Sequence, residues 1–418
     1  MTPRLTQQVA DAFLPHPPDV LGVAVSGGGD SMALLHLMHG FCTFHDTKLR
    51  AVTVNHGLRA EAASEADMVK RYCASLGILH DTLLWREWDG AGNLQNAARD
   101  ARYGLMAAWA KEHSITTIAL GHTADDQAET FLMRLSRRSG VDGLSGMSAR
   151  ILREGVTFVR PLLEANRADL RSHLQIHDIS WIEDPSNEDV TFNRIKARRI
   201  LETLAPLGID AEGLAEVASH MGQARKALDW QTFLAAREIV QIDAGAIVIC
   251  ERKLRILHVE IQRRLLVRAL SWVSGETYPA RRTAVGTLMQ ALSKGQAATV
   301  DGCHARRAQG HIWVFRELNA VKDIEAPLDT LWDARWRLIP ADPEGDWRDV
   351  TVRALGPDGL EQCPDWRASG RPRAMLLSTP AVWRDDVVIS APLAGNCQKW
   401  HADVDGGEET FFAALLTH

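Results

Sequence analysis

The 418-residue sequence predicts an α/β fold, with a doubly wound parallel sheet in an N-terminal domain, then a mostly helical middle domain and a small β-rich C-terminal domain. Three observations predict it. Between residues 20 and 165, short apolar runs alternate with helical patterns, the signature of βαβ units. The first apolar run ends in a glycine-rich turn that opens a helix, Ser26-Gly27-Gly28-Gly29-Asp30-Ser31. From about residue 165 the chain turns helical, polar and basic, and from Pro327 it becomes rich in Trp, Pro and Gly. These shifts place domain boundaries at 1–208, 209–325 and 326–418.

In chain order, the first residues read as a short amphipathic helix ended by the prolines between 15 and 18. Strands are predicted at 21–25, 49–55, 83–85 (weakly) and 116–121, with a last one at 158–163. Helices are predicted at 30–41, 60–76, 94–112 and 125–136. A long connecting helix follows at 210–236, then strands at 298–306 and 311–316 around Gln309-Gly310, and a strand-like run at 387–391. In a doubly wound sheet, ligands bind beyond the carboxyl ends of the strands. Segments 26–31, 55–59 and 122–129 all lie there.

Composition narrows the class. With 46% apolar and 24% charged residues the chain is an ordinary globular protein. No apolar run approaches the roughly 20 residues that span a bilayer, and the first residues lack a signal pattern, so a cytoplasmic protein without membrane contact is expected. The six cysteines, at 42, 73, 250, 303, 363 and 397, are scattered without a C-x-x-C pair. That spacing argues against a zinc ribbon, an iron–sulfur site or a disulfide scaffold. The net charge of −6 is not that of a basic nucleic-acid binder, so any RNA contact must use local patches.

The glycine-rich turn reads as a phosphate site. Glycines let the backbone approach a ligand and point successive amides at an anion. The helix N-terminus adds partial positive charge, and Ser26 and Ser31 add hydroxyls. The turn lacks the Lys-Ser/Thr ending of a Walker A loop and the spacing of a dinucleotide fingerprint. Further along, Asp126 and Glu129 stand three apart on a helix and share a face. Thr123-x-x-Asp126 also fits a capping box.

The loop resembles the pyrophosphate loop of N-type ATP pyrophosphatases, which cleave ATP between the α- and β-phosphates. An ordered series extends the likeness: Asn55-His56-Gly57-Leu58-Arg59, the 94–103 stretch ending Ala101-Arg102-Tyr103, Gly121-His122-Thr123-Ala124-Asp125-Asp126-Gln127-Ala128-Glu129, Arg160-Pro161-Leu162-Leu163 and Asp184-Pro185-Ser186-Asn187. Across residues 20–200 this series resembles the tRNA(Ile)-lysidine synthetase family. The chain departs from the family pattern at Arg137-Arg138-Ser139-Gly140 and Phe192-Asn193, both in stretches assigned to RNA contact.

The resemblance implies ATP and Mg²⁺ as cofactors, with L-lysine and a tRNA(Ile) bearing a CAU anticodon as partners; a homodimer stays open. The implied reaction adenylates O2 of cytidine 34 and lets lysine displace AMP. Asp30, Arg102, Asp126 and Glu129 are then the expected catalytic residues. Ser26, Gly27, Gly28, Gly29, Asp30, Ser31 and His56 would bind ATP, with Asp30 the one protein group expected near the metal. Asp126 and Glu129 would hold the lysine ammonium; Arg59, like His56, is a candidate for nucleotide or target-base contact, and His122 for orienting a carboxylate or donating to phosphate. Arg134, Arg137, Arg138, Arg194, Lys196, Arg198 and Arg199 are expected on tRNA phosphates. Two rivals stand beside this reading: a tRNA 2-thiolase of the same superfamily, for which Cys73 is the residue to test, and a nucleotide-binding regulatory module without catalysis.

Overall fold

The computed structural model describes residues 3–57, 62–85, 94–183, 193–276, 278–342, 345, 347–396 and 400–416. Arg59, the Asp184–Asn187 motif, Phe192 and Cys397 lie outside these residues, as do the side chains of residues 94–96. The chain divides into two compact units, one ending at Arg225 and the other beginning at Lys226.

The first unit is built on a six-stranded sheet. Its elements are α1 (Pro3–Phe13), β1 (Val20–Ala24), α2 (Gly29–Phe44), β2 (Lys48–Asn55), α3 (Ala62–Ser75), β3 (Leu79–Leu84), α4 (Leu94–Glu112), β4 (Thr117–Leu120), α5 (Ala124–Ser136), α6 (Val141–Leu144), β5 (Arg150–Arg153), β6 (Val156–Val159), α7 (Arg167–Ile176) and α8 (Asn193–Leu204). The strand order is β3-β2-β1-β4-β6-β5, parallel except for β5. The central strands β1 and β4 are nearly continuous apolar runs because helices cover both faces. On one face Met32, Leu34, Leu35, Met38 and Phe41 of α2 pack with α1 and α7. On the other, Tyr103, Met106 and Trp109 of α4 pack against Ile118 and Phe158. The order reverses between β1 and β4, so a crevice opens where the chain leaves those two strands.

Two predicted strands shift. The third spans β3, longer than 83–85. The last is β6 rather than 158–163, because residues 160–163 turn away from the sheet and carry Arg160 inward. Its antiparallel partner β5 was not foreseen. The pair is a hairpin whose turn residues Glu154 and Gly155 both take positive φ.

The long helix α9 (Ala211–Ile239) leads into the second unit. There β7 (Val240–Asp243), β8 (Ala246–Cys250), β9 (Ala298–Val300), β10 (Cys303–Ala308) and β11 (His311–Arg316) form an antiparallel sheet ordered β7-β8-β11-β10-β9. Helices α10 (Glu251–Ile256), α11 (Val259–Ser274) and α12 (Arg282–Ser293) lie between β8 and β9 in sequence, and Leu265, Leu266, Leu270, Val285 and Leu288 pack on the sheet's Ile247, Ile249, Ile312 and Val314. The C-terminal region carries two small antiparallel sheets, around a core that includes Trp332, Trp336, Val352, Val382 and Trp400.

Candidate functional site

The loop after β1 is shaped by its own hydroxyls. Ser26 N donates to Ser31 Oγ at 3.1 Å, and Ser31 Oγ donates to Gly28 O at 2.9 Å. Gly27 alone of the three glycines is left-handed, with φ +87°, and a Cβ there would stand 2.8 Å from Ile182. Gly28 is extended and Gly29 begins α2, so the helix N-terminus faces the loop. Ile182 N donates to Gly27 O at 2.9 Å and the Trp181 ring lies over Gly29, which backs the loop on its far side. A Cβ at Gly121, just past β4, would sit 3.1 Å from Asp30 O and Ser31 Cα. Glycine there lets the end of β4 pack against the first turn of α2.

That contact sets Asp30 beside the carboxylates of α5. Thr123 caps α5 with a complete capping box: Asp126 N donates to Thr123 Oγ1, and Thr123 N donates to Asp126 Oδ2 at 3.0 Å. Glu129, one turn on, is buried at 1% exposure. Arg167 joins the group from the first turn of α7. Its backbone N–H donates to Asp125 Oδ2 at 2.7 Å and its Nε to Asp30 Oδ2 at 3.1 Å. Its Nη2 stands 3.5 Å from Asp126 Oδ1 and its Nη1 3.8 Å from Glu129 Oε1. One guanidinium thus faces three carboxylates, which stabilise its charge still further.

The carboxylates differ in consequence. Burial raises Asp30 above the usual range despite Arg167, and burial with the Asp126 charge raises Glu129. Burial opposes ionisation of Asp126 too, but the charges of Arg194 and Arg167 and the hydrogen bond from Thr123 N hold Asp126 below its ordinary value. Glu129 Oε1 accepts from Arg198 Nε and Nη2 at 3.0 and 2.9 Å. Glu129 Oε2 has no hydrogen-bond partner among the described residues, and Arg194 Nε stands 3.8 Å from it. His122 accepts from Arg160 Nε at 3.3 Å through Nδ1, and burial lowers it to about 3, so it is neutral.

A cavity of about 260 Å³ opens beyond β1 and β2, lined by Ser26, Val54, Asn55, His56, Glu65 and Arg102 among others. Among the described residues no carboxylate pairs with Arg102, and burial lowers its pKa. A half-buried guanidinium with no carboxylate partner among the described residues suits a phosphate. His56 stands edge-on to Trp85, with its basicity lowered by burial and by Arg102.

The arginines expected on RNA divide by position. Arg137 and Arg138 end α5 and are exposed, as are Lys196 and Arg199 of α8. Arg134 Nη1 donates to Gly143 O and Gly146 O at 2.8 and 2.7 Å and so holds the turn around α6. Arg194 and Arg198 face Glu129.

Sequence reasoning passed over Arg167 and the inward turn of Arg160. One signal for Arg167 was present. A cation in the first turn of a helix opposes the helix dipole and calls for an anionic partner elsewhere. Cys42, Cys73 and Cys303 are buried and pushed up to about 12 by that burial, so these three are poorly suited to redox or sulfur-transfer chemistry.

A family profile for the PP-loop domain matches residues 1–204. The tRNA(Ile)-lysidine synthase of Ruegeria pomeroyi is 49% identical over 415 residues, covering 99% of this chain and 98% of that one. The enzyme of the same name from Wolbachia pipientis wMel is 37% identical over 390 residues, covering 89% and 88%. Among solved structures, the U34-tRNA thiolase NcsA from Methanococcus maripaludis with its 4Fe–4S cluster is 15% identical, with a TM-score of 0.46, covering 53% of this chain and 77% of that one. The PP-loop match over residues 1–204 and identity over nearly the whole of both chains agree: this chain belongs to the tRNA(Ile)-lysidine synthase family.

Proposed function

We propose that the chain joins L-lysine to C2 of cytidine 34 in a tRNA(Ile) with a CAU anticodon, in the cytoplasm, at the expense of ATP. The reading rests on full-length likeness to lysidine synthases, and at the site on one observation: Glu129 is buried one turn from Asp126, with one carboxylate oxygen that accepts no hydrogen bond among the described residues.

Two steps follow. Cytosine O2 attacks the α-phosphorus of ATP; an O–P bond forms, the α–β bridge breaks and pyrophosphate departs. The lysine amine then attacks C2; a C–N bond forms, the C–O bond breaks and AMP leaves. Splitting the displacement this way turns a poor leaving group into a good one. In the first step the loop amides, the N-terminus of α2 and Arg102 stand ready for phosphate charge, so little reorganisation is needed as it moves. Asp30 would suit a divalent cation, because its half-buried carboxylate calls for positive charge, which Arg167 supplies here. Bound Mg²⁺ supplies charge neutralisation on the phosphates.

In the second step the lysine side chain arrives as an ammonium, since its ordinary pKa is about 10.4. Glu129 Oε2 offers it an acceptor while Oε1 stays on Arg198, and Asp126 one turn away adds negative charge. Glu129, already raised by its surroundings, takes the proton that the amine must lose. Exposed Arg137, Arg138, Lys196 and Arg199 contact tRNA phosphates.

The test uses purified protein, ATP, Mg²⁺, labelled lysine and a tRNA(Ile) transcript with a CAU anticodon. Labelled tRNA, AMP and pyrophosphate are expected in equal amounts. No lysine incorporation into a transcript that a known synthase modifies would overturn the reading.

A further inference from the structure

Away from the carboxylate cluster, three histidines meet between α2 and α7. His36 lies two turns into α2, and His173 and His177 are one turn apart at the end of α7. His36 Nδ1 and His173 Nε2 stand 2.9 Å apart, and the ring centroids are 4.6 to 5.1 Å from one another. One ring nitrogen from each falls within 4.8 Å of the others, and no other trio of His, Cys or carboxylate groups converges in this way among the described residues. We propose that His36, His173 and His177 form a binding site for a first-row divalent cation of the zinc class, which ties α7 to α2.

The chemistry of the trio favours a cation over a simple core role. Three neutral imidazoles can share one internal hydrogen bond, here between His36 and His173. Two further nitrogens, His173 Nδ1 and His177 Nε2, are buried without a hydrogen-bond partner among the described residues. A metal ion accepts three lone pairs at once. Zinc–imidazole bonds of about 2.0–2.1 Å in tetrahedral geometry put the nitrogens about 3.4 Å apart. The His36–His173 pair therefore has to open by about half an ångström and His177 to swing in. The spacing His173-x-x-x-His177 puts both rings on one helix face, as helical metal sites require. Three neutral nitrogens select a borderline ion and not Mg²⁺, which demands oxygen ligands. The fourth position is left for water.

Such an ion would act on the fold at a chosen place. Arg167, at the first turn of α7, reaches Asp30 at the first turn of α2. The histidines join the same two helices further along, so α7 would be held at both ends.

The test takes the full chain without a histidine tag, strips it with a chelator and titrates it with Zn²⁺ alone, following heat and bound metal. Co²⁺ is then used for its visible d–d bands. One equivalent is expected, with bands of tetrahedral intensity and a higher Tm. Half-buried His36 and His177 can be changed without opening the core. His36→Gln and His177→Gln should each weaken zinc at least about a hundredfold, and the double variant should lose both the stoichiometric ion and the Tm rise while remaining folded by circular dichroism. Absence of stoichiometric zinc in the parent, or an equivalent retained by the folded double variant, would overturn the proposal.

Discussion

At residue scale Arg167 is, among the described residues, the one guanidinium that reaches Asp30, Asp126 and Glu129 together, with 19% of its side chain exposed. Removing one partner from a buried ion cluster leaves charges uncompensated, which costs about 3–5 kcal/mol. Arg167→Ala should therefore lower the unfolding free energy by about 3 kcal/mol in urea titration; a loss below about 1 kcal/mol would mean that the cluster does not depend on it. Glu129 has a different part. With Oε2 as the ammonium acceptor, Glu129→Gln should raise the lysine KM by about tenfold or more, since a hydrogen bond to a charged group is worth about 1.5–3 kcal/mol. Pyrophosphate release in the absence of lysine should fall much less. Equal losses in both would remove Glu129 from lysine binding. Asp30→Ala, by contrast, should abolish pyrophosphate release itself.

At the scale of elements, four features of the first unit differ in legibility, and two of them are easily read from sequence. The strand–glycine–helix passage from β1 to α2 is visible because apolar runs, glycines and helical periodicity all change at the same residues. The capping box of α5 is equally local, with Thr123 and Asp126 three residues apart. The β5–β6 hairpin is hidden because each strand has only four residues and its Glu-Gly turn is a weak signal. The link between α7 and α2 is hidden for another reason: Arg167 and Asp30 are 137 residues apart, and no local pattern joins them. Gly121 tests the packing of β4 on α2. In Gly121→Ala the new methyl meets backbone, which cannot swing aside, so stability should fall by about 1–3 kcal/mol. Both reaction steps should slow as the loop and α5 are forced apart. His173 tests α7 in metal-free protein. Its folded pKa, about 4 beside His36 and His177, lies below the ordinary 6.5. The unfolded chain thus binds the proton first as pH falls, and stability is lost from about pH 6.5 down to about 4. His173→Gln should flatten that part of the urea-midpoint profile.

For the molecule as a whole, the net charge of −6 repels a polyanion, so tRNA binding has to depend on where the cations stand. Arg137 and Arg138 close the C-terminal end of α5, whose first turns carry Asp126 and Glu129. Cations at a helix C-terminus are favourable for the helix alone, worth about 0.3–1 kcal/mol each, so their presence does not by itself argue for RNA. Salt separates the two roles. A phosphate contact releases counterions, and each one contributes about 0.7–0.9 to the slope of log affinity against log salt. Arg137→Ala with Arg138→Ala should flatten the slope for tRNA(Ile) by about 1.5, weaken binding at low salt and leave ATP binding unchanged. A helix-end role would instead lower the Tm slightly and leave the slope alone. Lys196 and Arg199, exposed on α8, should add to the effect, whereas Arg198 should not, because its guanidinium is held on Glu129 and its loss would appear first in the use of lysine.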